Sequence, residues 1–338
     1  MKKAFLISGI FISTLIGAGF ASGNEILFYF SSYSKYGIIS VFLAVFLFCF
    51  LEYMIISQTQ NKKDCTFSQY LEMITGKKMA GVLSVFSNLF MIIVFSCMIS
   101  GFSEMCFELY EIKKFYGALF MLILSFFAVC KGYDGFVRVQ AFLSFLIIVS
   151  IIFAVFYMIV FFEKEVQVFS VYDNFLTSGV SFVGYNMLSL SAVMCIMGYG
   201  NTKKSAVLSA VLSGVFLLLI MISMFYILSV YSGMIPLGEI PLLTISRRYG
   251  KVFSYFYSGV IFIAMLTTAI SNCYVPCEYF KKFVGNRLSL IFVLVGGFFL
   301  SSFDFSFIVD KLYRISGILS VYLIYCIIKY NIKTNKKC

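Results

Sequence analysis

Apolar positions along this chain run together in long blocks instead of recurring at the spacing of an amphipathic helix or strand. Ten blocks are read, at 4–30, 37–58, 79–104, 115–131, 135–162, 174–200, 203–230, 251–275, 286–302 and 306–330. A helix needs roughly 20 apolar residues to cross the hydrocarbon of a bilayer. The pattern therefore predicts an all-α polytopic membrane protein of ten transmembrane helices, with 1–338 as a single membrane domain. Shifting the starts of the second to fifth blocks by 167 gives 204, 246, 282 and 302, close to the starts of the seventh to tenth. The chain reads as two five-helix repeats, 1–165 and 168–331, with a short basic tail at 332–338. An odd number of helices per repeat makes the second copy enter the membrane upside down, the 5+5 inverted-repeat plan of several transporter folds.

The first block carries polar and small residues where lipid would want none: Gly17-Ala18-Gly19-Phe20-Ala21-Ser22-Gly23-Asn24-Glu25. Each Gly costs about 1 kcal/mol against Ala in a helix interior, so three within seven residues make the helix easy to open. An opened helix is tolerated at membrane depth only beside protein or a water-filled cavity, and such breaks are where secondary transporters hold solute and ion. Gly19-x-x-x-Gly23 alone would suit a packing face, but packing needs no carboxylate. A dinucleotide loop needs a preceding strand, and none is read here. The block is not a secretory leader either, because apolar sequence resumes directly after Glu25.

The sixth block holds Gly184-Tyr185-Asn186, with Gly184 standing 167 residues after Gly17. A second break is expected there, so that two opened helices face one midplane site. In the eighth block, Ala264, Thr267 and Thr268 share a helical face and offer hard oxygens to an alkali cation. Ser100 lies on a small-polar stripe in the third block, the counterpart of the eighth under the repeat. Carboxylates within membrane blocks are expensive and usually functional. Glu25, Glu52 and Asp310 qualify; Glu25, beside the break, is the candidate for a proton or cation role, and Asp310 pairs more simply with Arg314 at i, i+4.

Charge orients the chain. With the N-terminus inside, the cytoplasmic loops hold most of the 26 Lys and Arg residues, leaving Lys35, Lys113, Lys114, Lys164, Arg247, Arg248 and Lys251 outside. This satisfies the positive-inside rule and predicts a multi-pass protein of the bacterial cytoplasmic membrane with both termini cytoplasmic. The basic stretch at 232–250 is the exception, and its Ile240 to Ile245 segment reads as a short interfacial or re-entrant helix. The net charge of +11 is thus a topology signal and not a nucleic-acid footprint. Ten scattered cysteines without a Cys-x-x-Cys pair, and no histidine, speak against a zinc site or a disulfide framework. No cofactor is expected, and the lack of His and of any nucleophile–base cluster speaks against an enzyme.

The stretch from Gly17 to Ile26, GAGFASGNEI, resembles the hallmark of the YkvI-type bacterial membrane proteins, and the resemblance extends over all ten blocks, including Tyr185-Asn186 and the Phe305 to Gly317 region. That family belongs with the amino acid–polyamine–cation superfamily, whose LeuT-type fold has broken first and sixth helices. The resemblance implies alternating access, with a sodium ion between the Gly17 and Phe20 carbonyls and the Ala264, Thr267 and Thr268 face. It further implies a solute carboxylate at the Ser22 and Gly23 amides, its amine near Gly184 and Tyr185, and Ala18, Asn24, Asn186 and Ser100 around it. The chain departs from the pattern at Leu27, where some relatives carry a basic residue, and in lacking a proline in the sixth block. The expectation is a secondary transporter of a small organic solute, an amino acid or related zwitterion, driven by Na+ or H+. The rival is a ligand sensor on the same fold, like spore-germinant receptor subunits. Its partners are then a small molecule and the lipid bilayer, with oligomeric state open.

Overall fold

The computed structural model describes residues 2–63, 65–161, 174–231, 240–302 and 305–335, and the side chains of all of these except 305–318 and 335. Among the described residues the secondary structure is helical throughout. In order these are α1 (Lys2–Leu15), α2 (Ala18–Ser22), α3 (Asn24–Tyr29), a 3-10 turn at Ser31–Tyr33, α4 (Ser34–Thr59), α5 (Phe67–Thr75), α6 (Lys77–Tyr110) and α7 (Lys114–Val129). There follow α8 (Gly132–Val160), α9 (Phe175–Met197), α10 (Lys203–Tyr231), α11 (Pro241–Ser246), a 3-10 turn at Arg247–Tyr249, α12 (Lys251–Val284), α13 (Asn286–Leu300) and α14 (Phe305–Asn335). Six helical runs among the described residues are long and apolar enough to cross a membrane: Asn24–Thr59, α6, α8, α9, α10 and α12. α7 and α13 are shorter apolar helices.

Local chemistry sets the ends. Thr66 starts α5 with a capping box, its hydroxyl accepting from the Gln69 amide while the Gln69 side chain accepts from the Thr66 amide. Gly285 alone joins α12 to α13, at φ +80, a conformation an L side chain resists. The bundle is apolar outside as well as inside: Phe46, Phe145, Phe156 and Phe299 are each about two-thirds exposed. So much exposed aromatic surface suits lipid and not water.

α12 lies at the centre, packed on α6, α8, α13, α7 and α2. On its other side α1 packs against α10 and α8, and α4 lies between α9 and α10. The Phe182 ring of α9 joins these parts, meeting Phe20, Phe30 and Phe48 at centroid distances of 6.4, 5.1 and 5.8 Å.

The first membrane run is interrupted: α1 stops at Leu15, Gly17 is extended (φ −92°, ψ −166°), and Gly23 turns the chain at φ +84 between α2 and α3. The second expected break is absent, because α9 runs unbroken from Phe175 to Met197 through Gly184, Tyr185 and Asn186. The reason is local. One glycine costs about 1 kcal/mol, and the nearby polar groups are satisfied inside the helix: the Asn186 amide donates to the Phe182 carbonyl (3.0 Å) and the Ser191 hydroxyl to that of Leu188 (3.2 Å). The segment expected to be re-entrant is the short α11, with Leu242, Leu243 and Ile245 buried. The Asp310–Arg314 pairing falls outside the described side chains.

Candidate functional site

Where the first run opens, its peptide groups must find partners away from their own helix. α12 supplies them. The Thr268 hydroxyl donates to the Ile16 carbonyl (3.4 Å) and the Tyr257 hydroxyl to the Ala21 carbonyl (2.8 Å). Ser22 turns back to the Gly19 carbonyl (3.0 Å), and its oxygen accepts from the Asn24 amide (3.3 Å). Gly17 has to be small for this: a Cβ there would lie 3.2 Å from the Thr268 hydroxyl. The first-turn amides of a helix have no partner within it, so the start of α2 leaves N–H groups toward whatever lies beside it.

What lies beside it is a cavity of about 1160 Å³. The opened run lines it with Gly17, Ala18, Gly19, Ser22, Asn24 and Glu25; α6 adds Ser100 and Ser103, α9 adds Tyr185, Asn186 and Ser189, and α12 adds Thr268 and Asn272. The Tyr185 phenol faces the Glu25 carboxylate, and the Tyr185 and Tyr29 rings lie 5.7 Å apart. Ser189 donates to the Asn272 side-chain oxygen (2.8 Å), which ties α9 to α12 across the cavity wall.

The cavity extends toward the C-terminal end of α6, where Glu104, Glu108, Lys114 and Arg247 line it and Glu104 pairs with Lys114. The α1 side is closed by a buried polar network. The Gln140 amide nitrogen of α8 lies within hydrogen-bond distance of the Ser13 and Ser271 hydroxyls (3.2 and 3.0 Å) and the Thr267 carbonyl (3.2 Å), its two protons shared among the three. Ser144 donates to Ser13 (2.7 Å), and Thr14 and Ser271 share a hydrogen bond (3.2 Å). Farther along, Lys3 Nζ donates to the Gly200 carbonyl (3.0 Å), and the Gly200 amide donates to that of Gln60 (2.9 Å).

Of the residues singled out in the sequence, Gly17, Ala18, Ser22, Asn24, Glu25, Ser100, Tyr185, Asn186 and Thr268 line this cavity. Gly23, Phe20, Gly184, Ala264 and Thr267 are not among its lining residues. A Cβ on Gly23 would meet Leu242, 2.7 Å away, Phe20 packs on Phe182, and Gly184 is buried within α9. The Thr267 hydroxyl is bonded to the Ala264 carbonyl of its own helix (2.9 Å). Gln140, Tyr257 and the pair at the mouth went unread in the sequence. A lone glutamine in the apolar block at 135–162 was the signal available for the first; nothing in the sequence marks Tyr257.

Comparisons with known proteins agree with this architecture. The chain is 23% identical to the uncharacterised membrane protein YkvI of Bacillus subtilis over 330 residues, covering 94% of this chain and 93% of that one. It superposes on a manganese transporter from Eremococcus coleocola with a TM-score of 0.62 at 14% identity, over 98% of this chain and 76% of that one. It superposes on MhsT in complex with L-phenylalanine with a TM-score of 0.63 at 15% identity, over 89% and 78%. The family model for spore germination proteins matches residues 3–281. The chain has the LeuT fold and is similar to YkvI, and it belongs to the spore germination protein family.

Proposed function

We propose that this protein is a secondary transporter of a small organic solute, an amino acid or related zwitterion, working by alternating access on a ten-helix, 5+5 inverted-repeat frame. The observation that carries the reading is the opened first run beside a cavity of about 1160 Å³, whose lining includes Ala18 and Gly19 at the start of α2 together with Glu25. A zwitterion suits that pairing of donor and acceptor. With α1 starting in the cytoplasm, the cavity faces outward and the Gln140 network is the closed inner gate. Ala18, Ser22, Asn24, Tyr185, Asn186 and Ser100 contact the solute, with Gly23 and Gly184 shaping the backbone beside it. No cofactor is involved; the coupling ion is Na+ or H+, and Gly17, Phe20, Ala264, Thr267 and Thr268 form the sodium site if sodium is used. The Thr268 hydroxyl, already against the break, supports that placement. A manganese cargo is not carried over from the structural neighbour: among the described residues no three His, Cys, Asp or Glu side chains gather.

The family description favours one other reading, a germinant sensor that binds solute without moving it. A thermal-shift screen of the purified protein against amino acids, in sodium and in potassium, followed by uptake into proteoliposomes, separates the two. A carrier accumulates the stabilising solute down an ion gradient. A sensor is stabilised and accumulates nothing. No stabilisation by any amino acid in either salt overturns the proposed solute class.

A further inference from the structure

Glu52 of α4 is 0% exposed and is not part of the cavity wall. No hydrogen bond of normal geometry reaches either of its carboxyl oxygens from the described residues. The polar side chains turned toward it come from α10: Ser209 and Ser213. Ser209 gives its proton to the Ala206 carbonyl (3.0 Å), so its oxygen remains an acceptor. Cys49, one turn earlier on α4, is the titratable group beside it. No charged side chain reaches it from α1, α9, α10 or α14 among the described residues. A carboxylate ion so placed costs several kcal/mol, whereas the neutral acid can donate to a serine oxygen. An alkali cation replaces its water with a full set of oxygens, and here the side chains turned toward the carboxyl among the described residues bring two hydroxyls.

The position gives that proton a way out. Phe48, one helical turn before Glu52 and so on the same face of α4, packs edge-on against Phe11 of α1 with centroids 6.0 Å apart. α1 therefore touches the face of α4 that carries Glu52 and packs against α10 as well, and the extended backbone at Gly17 is a joint between α1 and α2.

We propose that Glu52 is the proton-binding site that couples this carrier to a proton gradient, loaded while α1, α4 and α10 are packed together and emptied when α1 moves off and water enters. An O–H bond forms on loading and breaks on release to water, with no change of oxidation state. The inference rests on the transport reading above and names its driving ion.

Infrared difference spectra of the reconstituted full-length protein, wild type against Glu52→Gln, test the site itself. At neutral pH the wild type is expected to show the C=O stretch of a protonated carboxyl, shifted in D2O and lost in the variant; a carboxylate band in its place overturns the proposal. Proteoliposomes loaded with pyranine test the coupling. An equimolar mixture of the proteinogenic amino acids added outside is expected to acidify the wild-type lumen and not that of Glu52→Gln, while the mixture still stabilises the variant against heat. Equal acidification in both, or none in a wild type that the mixture stabilises, overturns it. If the mixture does not stabilise the wild type, the solute reading falls, and the infrared result still decides whether Glu52 holds a proton. Should Glu52→Gln fail to fold, Glu52→Asp keeps the acid group and is expected to keep a shifted carboxyl band.

Discussion

The first membrane run and α9 carry glycines at the spacing expected of a repeat, with Gly17 and Gly184 standing 167 residues apart, yet only one of them opens. In the first, three glycines and two carbonyls captured by α12 make the open form affordable: Thr268 holds Ile16, and Tyr257 holds Ala21. In α9, a single glycine stands among side chains that bond back into their own helix, and the helix stays whole. α9 reaches the site by side chains alone, through Tyr185, Asn186 and Ser189. Matching spacing in the sequence thus does not dictate what each helix does to its backbone. One half presents peptide groups, and the other presents a wall.

Substitutions on the two sides should behave differently. Gly23→Leu carries the largest effect. An L residue at φ +84 costs about 1–2 kcal/mol, and its Cβ would sit 2.7 Å from Leu242. Loss of all amino-acid-induced thermal stabilisation is expected, and retained stabilisation would move the solute away from the opened run. Gln140→Leu removes the buried amide that the Ser13 and Ser271 hydroxyls and the Thr267 carbonyl share, at about 1–3 kcal/mol. A lower melting midpoint is the expected signature. Thr268→Ala removes one bond, worth about 1 kcal/mol, and should weaken any sodium-dependent stabilisation; sodium dependence that survives intact excludes this threonine as a ligand. Gly184→Ala should do least. It improves helix propensity by up to about 1 kcal/mol in a helix that stays closed, so binding should persist. A loss as large as that of Gly23→Leu would show that α9 opens during the cycle.

The sequence displayed the helices well because lipid-crossing blocks are delimited by charge. The block read at 203–230 and α10 (Lys203–Tyr231) differ by one residue, since Lys203 and Lys204 mark its start. The break at 17–24 was legible because its glycines and its carboxylate are neighbours in the chain. The continuity of α9 was not legible, since one glycine and one asparagine fit either state and only the structure shows Asn186 and Ser191 bonded back into the helix. Nor was the inner network, whose members meet across separations of 127 residues and more. The Thr267 hydroxyl illustrates the same limit: only geometry shows that its proton goes to the Ala264 carbonyl of its own helix, leaving the oxygen's lone pairs as what it can offer an ion.

α6 and α12, the two 34-residue helices that pack on each other through the core, are each about 51 Å long at 1.5 Å per residue. The hydrocarbon layer is only about 30 Å thick. The pair must therefore lean, or stand proud of the headgroups, and the lean it adopts follows the acyl-chain length of the surrounding lipid. Since α12 also carries the side chains that hold the opened first run, membrane thickness acts directly on the geometry of the site, and lipid choice becomes a variable of every reconstitution.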